Sequence, residues 1–314
     1  MLSRTADHLY WMARYMERAE NTARVLDVTN RMSLLPKDSA VAEQEWSAAL
    51  AMSGCHASAP PNGLASPGQV LRFMTIATDN PSSIVSCVRA ARENGRAVRG
   101  TITSEMWESL NATWLEIQYF DEERLNAGGV GAWFDWVKER AHLFHGVTQS
   151  TILHDETLHF LRLGTFLERA ENTARILDVK YHLLLTNLTN AAEAVDYYQW
   201  GALLRSVSGF EAYRKVYRDV IVPWRVAELL VLHADMPRSL HRCFNAIDDI
   251  LAGIPGETGR EAARRAGELH AGLHYGRMED ILQQGLHEYL VNFIARANDL
   301  GLEINRSFLV PACV

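Results

Sequence analysis

Cysteine is scarce in this 314-residue chain, with only Cys55, Cys87, Cys243 and Cys313 present. None sits in a CxxC pair or at a Cys/His zinc spacing, so neither a disulfide framework nor a thiolate metal centre is predicted, and the four read as reduced, structural thiols. Long apolar runs are missing too. Nothing approaches the roughly 20 apolar residues that span a bilayer. The first residues, MLSRTADHLYWM, lack the basic stretch and apolar core of a secretion signal, so no membrane association and a cytoplasmic location are expected. Positive charge is in deficit: 31 Lys and Arg against 38 Asp and Glu give a net charge of -7, which supplies no overall drive toward nucleic acid. Alternating strand patterns bounded by turns are absent, as are the P-loop, GxSxG, GxGxxG and HExxH signatures. An isolated Ser or Cys without a placed His makes no triad, so an enzyme is disfavoured and no cofactor is predicted.

What is present is a repeat. Met16 to Val28, MERAENTARVLDV, returns as Leu167 to Val179, LERAENTARILDV, with eleven of thirteen positions identical. The two differences exchange apolar residues of similar size, which packed positions tolerate best. The match continues as the offset drifts. Trp46, Ala48 and Leu50 align with Trp200, Ala202 and Leu204, and Asp79, Pro81, Ser83, Cys87 and Ala90 with Asp235, Pro237, Ser239, Cys243 and Ala246. An internally duplicated chain is therefore predicted, one domain built from copies at about 1–130 and 131–314. A hydrophobic content of 48% is ample for its core.

Helical signals run throughout. Residues 3–33 hold no Gly or Pro and read as one long helix, with Ser3 or Thr5 available as cap. Met12, Met16, Ala19, Ala23 and Leu26 share one stripe of it, which is the predicted core face. Further helices are predicted over 40–53, 70–78, 81–100, 103–125, 132–149, 155–188, 192–219, 225–234, 237–252, 260–275 and 278–300. Pro81 opens one of them at its first position. GCHASAPPNGLASPGQ is a predicted loop, and Asn126 to Gly131 the best internal breakpoint. The predicted fold class is all-α, a helical bundle with two pseudo-symmetric halves.

The repeated segment is the candidate site. Glu17, Glu20, Asn21, Arg24 and Asp27 lie within about 120° of one another, opposite the apolar stripe. Glu20 with Arg24, and Glu171 with Arg175, are i,i+4 pairs in the favourable order. A solvated helix face is the plainer reading. Against it, the two copies share little elsewhere yet hold these polar residues in common, as expected of a buried network or a ligand site.

Two other constellations bear on function. Arg89, Arg92, Arg96 and Arg99 fall within about 80° on one helix face, a basic stripe that the second copy lacks. It is either a solvated face or a docking surface for an acidic partner. Glu156 and His159 have the Glu-x-x-His spacing of di-iron bundles, and His8 matches His159, but Thr5 stands where the first copy needs its Glu. No metal site is therefore predicted, and these histidines read as surface or capping residues.

LSRTADHLYWMARYMERAENTARVLDV, FLRLGTFLERAENTARILDVKYH and the intervening DNPSSIVSCVRAARENGRAVRGTITSEMWESLN together resemble the bacterial Alpha-E family, a helical domain of unknown function named for its Glu-Arg motif. The motif residues here are Glu17, Arg18, Glu168 and Arg169, with Thr165 in the second copy where the first has Arg14. The resemblance implies association with circularly permuted ATP-grasp amide ligases, transglutaminase-like peptidases and a proteasome-related peptidase. It implies no catalytic residues. Two readings stay open: a non-catalytic scaffold or adaptor for such an enzyme, or an enzyme or small-ligand-binding bundle using the Glu-Arg motifs of both copies. They separate on whether the motif lines an open cavity or pairs in a closed core.

Overall fold

Helix α1 (Ser3–Ser33) runs unbroken for 31 residues, as the lack of Gly and Pro requires. Neither Ser3 nor Thr5 caps it; Leu2 is the cap residue, its carbonyl accepting from the Ala6 amide at 3.1 Å. The computed structural model describes residues 1–34, 39–54, 66–120, 129–186, 193–254 and 257–309, and these hold fourteen α-helices and no strand. After α1 come α2 (Ser39–Met52), α3 (Pro67–Thr75), α4 (Ile84–Ala97), α5 (Ser104–Ile117), α6 (Val130–Thr151) and α7 (Glu156–Thr186). The chain continues with α8 (Glu193–Ser206), α9 (Phe210–Tyr217), α10 (Pro223–Val231), α11 (Leu240–Gly253), α12 (Arg260–His274), α13 (Met278–Gln284) and α14 (Leu286–Ile304), then a π-helical turn, Asn305–Leu309.

The chain divides into two compact units, Met1–Glu168 with Phe308–Val314, and Arg169–Ser307. In the first, α1 packs along α4 and α6, α4 on α5, and α5 on α6. The predicted apolar stripe is core: Met12, Met16, Ala19, Ala23 and Leu26 are all buried. Gly95 lets α4 come close, since a Cβ there would stand 2.9 Å from Leu110 Cδ1 and 3.2 Å from Met12 Sδ. In the second unit α11 packs on α12 and α12 on α14. Phe244 of α11 meets Phe293 of α14 edge to face at 5.2 Å. Cys87 and Cys243 are buried and in no disulfide, while Cys55 and Cys313 lie outside the described residues.

Several predicted boundaries move, for local reasons. Pro81 and Pro237 precede their helices, which start three residues later because Ser83 and Ser239 cap them, accepting from the Ser86 and Arg242 amides. The predicted helix over 192–219 is two, broken where Ser208 takes φ 52° and the Gly209 amide reaches back to the Leu204 carbonyl at 2.7 Å. Gly285, at φ 101°, likewise splits the predicted 278–300 helix into α13 and α14. Residues 55–65 of the predicted loop and 121–128 around the predicted breakpoint lie outside the described residues. Among the described helices none is long and apolar enough to cross a membrane.

Candidate functional site

The polar face of α1 is covered. Glu17 is 0% exposed and Glu20 1%, as buried as the apolar stripe on the opposite side of the helix. The cover is α6, whose sequence places His142, His145 and Lys138 against α1. His145 Nε2 lies 3.3 Å from Glu17 Oε2 and 3.6 Å from Glu20 Oε2. Arg24 closes the group, donating from Nε to Glu20 Oε1 at 2.8 Å and lying 2.9 Å from His142 Nε2. One turn on, the buried Asp27 accepts from Lys138 Nζ and from Arg31 Nε, both at 2.8 Å.

Two buried carboxylates beside an imidazole perturb its titration. Burial pulls the His145 pKa down, but hydrogen bonding of the ring to the Glu17 and Glu20 carboxylates and their charges outweigh it, so the pKa sits above the usual 6.5. The imidazole is held toward its charged form. One ligand atom from each of Glu17, Glu20 and His145 lies within 4.8 Å of the others, an O, O, N set of the kind that moves protons or takes a divalent cation.

The second motif carboxylate is held by the first copy's arginines. Glu168, on α7, accepts from Arg14 Nε at 2.7 Å and from Arg18 as a fork, Nε at 2.6 Å and a terminal nitrogen at 2.9 Å. Arg14 also donates to the Tyr10 hydroxyl at 3.1 Å and stacks over the Trp11 ring at 5.3 Å, while Arg18 stacks over Tyr15. Burial alone would lower the Arg18 pKa, but the Glu168 charge and hydrogen bonds raise it. These groups meet because Gly164 removes a side chain at the crossing: a Cβ there would stand 2.2 Å from the Tyr10 carbonyl oxygen. The Thr165 hydroxyl, where the first copy has Arg14, donates within its own helix to Leu161 O.

In the second unit, Arg175 pairs with Glu171 at 3.1 Å, the copy of the Arg24 and Glu20 contact. Arg169 is half-buried. Asp178, the copy of Asp27, meets His287 of α14 at 2.6 Å. The basic stripe is partly consumed by its neighbours. Arg92 pairs with Glu93 and donates to Asn111, Arg96 pairs with Glu93 at 2.9 Å, and Arg92 and Arg99 both stack on Trp107. Arg89, Arg96 and Arg99 are exposed. His8 and His159 are both half-buried: His8 Nδ1 is 2.7 Å from Asn94 Oδ1 in the α1 and α4 contact, and the Nδ1 atom of His159 is buried. Neither stands in a metal-ligand cluster among the described residues.

His145, His142 and Lys138 carry much of the site, yet sequence reading passed over them. The available signal was the i, i+3 spacing of His142 and His145 on a helix predicted to lie ahead of the second motif. Two cavities of about 170 and 470 Å³ in the second unit hold none of the motif residues; the larger is lined by Tyr217, Glu228, His233 and Arg277 among others.

Comparison with known proteins adds three findings. Residues 1–309 match the model of a predicted α-helical domain with a conserved ER motif. Uncharacterised proteins of Mycobacterium bovis and Mycobacterium tuberculosis are 25% identical over 313 residues, covering 93% of this chain. The chain spans only 35% of the length of those relatives. No solved structure matches it.

Proposed function

The chain belongs to the Alpha-E family, and from that premise we propose that it is a non-catalytic helical scaffold serving an ATP-grasp amide ligase or a transglutaminase-like or proteasome-related peptidase. The observation that carries this reading is the state of the Glu-Arg motif in the first unit. Glu17 and Glu168 are buried, and Glu168 is tied to Arg14 and Arg18 within a helix-packed interior. A carboxylate that takes three hydrogen bonds from two guanidinium groups is suited to a structural tie, which supports the scaffold reading. In the mycobacterial relatives the same region is about a third of a longer chain, which suits a body that works beside other domains. The exposed Arg89, Arg96 and Arg99 are the proposed docking surface for an acidic partner face, with Arg92 held behind them by Glu93 and Asn111. Duplication of an ancestral half remains part of the proposal, on the strength of the sequence repeat, as does a cytoplasmic setting.

A second reading draws on one observation: Glu17, Glu20 and His145 bring two buried carboxylates onto an imidazole, an arrangement able to move a proton or bind a small ligand. The test separates the two. The purified chain is assayed alone for ATP hydrolysis and for amide formation or cleavage, and its association with the ligase and peptidase of its own host is measured against salt. The scaffold reading expects no turnover, and an association that Arg89→Glu with Arg96→Glu weakens and makes less salt-sensitive. Turnover abolished by Glu17→Gln with the fold intact would establish the enzyme reading instead.

A further inference from the structure

We propose that the second unit binds a zinc-class divalent cation through His241, His270 and His274. His270 and His274 are four residues apart on α12 and so share a face, and α11, which packs on α12, brings His241 to them. The three rings lie 5.4, 5.6 and 5.9 Å apart, centre to centre, and one nitrogen from each falls within 4.8 Å of the others.

Tautomer chemistry makes this more than a crowd of imidazoles. His241 Nδ1 stands 2.8 Å from the Leu232 carbonyl, which can only accept, so Nδ1 carries the proton and Nε2 presents its lone pair inward. His270 Nδ1 stands 3.1 Å from Asp248 Oδ2, which fixes the same tautomer. A backbone carbonyl on one ring and a carboxylate on the next is the outer shell that orients metal-binding histidines. His270 Nε2 is buried with no hydrogen-bond partner, a costly state that a metal–nitrogen bond relieves.

Spacing agrees. Zinc–nitrogen bonds of about 2.0–2.1 Å put two ligands of a tetrahedron about 3.3–3.4 Å apart. His241 Nε2 and His274 Nδ1 are 3.3 Å apart. A hydrogen bond between those two rings accounts for that distance but leaves His270 Nε2 unmatched. Three imidazoles with no thiolate favour late first-row cations over magnesium or calcium. His274 is exposed, so the fourth position opens to water or a small anion, the coordination of an open centre and not of a closed structural one.

The test titrates chelator-treated full-length protein with Zn²⁺ by calorimetry and with Co²⁺ by visible absorption. The expected result is one equivalent per chain with a tetrahedral Co²⁺ spectrum. His274→Ala, at an exposed position that the fold does not need, should abolish that spectrum, and Asp248→Asn should weaken binding about 10- to 100-fold. Should His270→Ala fail to fold, those two variants decide. Absence of stoichiometric binding, or binding that His274→Ala leaves unchanged, overturns the proposal. Loss of the bound equivalent in His145→Gln instead would overturn it in favour of the cluster at Glu17 and Glu20.

Discussion

Glu168 is where a charged residue stops being surface chemistry. Its two oxygens take three charge-assisted hydrogen bonds from Arg14 and Arg18, with the carboxylate side chain only 5% exposed. At such a site a missing partner costs far more than an exposed pair ever contributes. His145 makes the same point through pH. Its folded pKa is raised, so the stability it contributes is fully present below its unfolded pKa and is lost as pH rises through the folded value. The stability gap between wild type and His145→Gln should therefore be widest near about pH 6 and shrink toward about pH 9. Denaturant titrations across that range check this; a gap that is flat or widens with pH would show that the imidazole is not held charged by Glu17 and Glu20. Sequence reading reached the carboxylates and arginines because both copies carry them. It missed His145 and Lys138 because a helix lying across α1 leaves no periodic mark in α1 itself.

At the scale of elements, the crossing of α1 and α7 depends on Gly164. Gly164→Ala sets a Cβ 2.2 Å from a backbone oxygen that cannot rotate away, so the helices must part and the Arg14 and Arg18 contacts stretch. A loss of about 1–3 kcal/mol in unfolding free energy is expected, as for other overpacked sites. A neutral substitution would show that the crossing is looser than described. Ser83 and Ser239 occupy equivalent repeat positions and cap α4 and α11, so Ser83→Ala and Ser239→Ala should each cost about 1 kcal/mol, measured in the same way. The long helices were legible from uninterrupted apolar spacing, and α1 matches its predicted bounds. Breaks at Ser208 and Gly285 were not, because a left-handed residue is chosen by what packs on either side of it. The wheel of α1 could not by itself separate a buried network from a solvated face for a related cause: it shows which residues point together, and only the neighbours decide whether that direction holds water.

Taken as a whole molecule, the sequence repeat and the packing units divide the chain differently. The copies expected from the sequence repeat would meet near residue 130, whereas the compact units divide between Glu168 and Arg169, inside α7 and inside the second motif itself. A fragment of residues 1–130 loses α6 and α7, and with them Lys138 from Asp27 and Glu168 from Arg14 and Arg18. Such a fragment should show no cooperative thermal unfolding by circular dichroism; a sharp transition close to that of the full chain would mean that the first copy folds alone. Family membership was legible from the motif and its flanks, while a partner of the kind proposed would be chosen by surfaces whose counterpart lies in another protein.

Whether the Glu-Arg motif is an interior tie is tested most directly by the denaturant-derived unfolding free energy of Glu168→Ala. A loss of about 3 kcal/mol is predicted, because two arginines are left without the carboxylate that compensates them in low dielectric. A loss under about 0.5 kcal/mol, the range of solvated pairs, would contradict it.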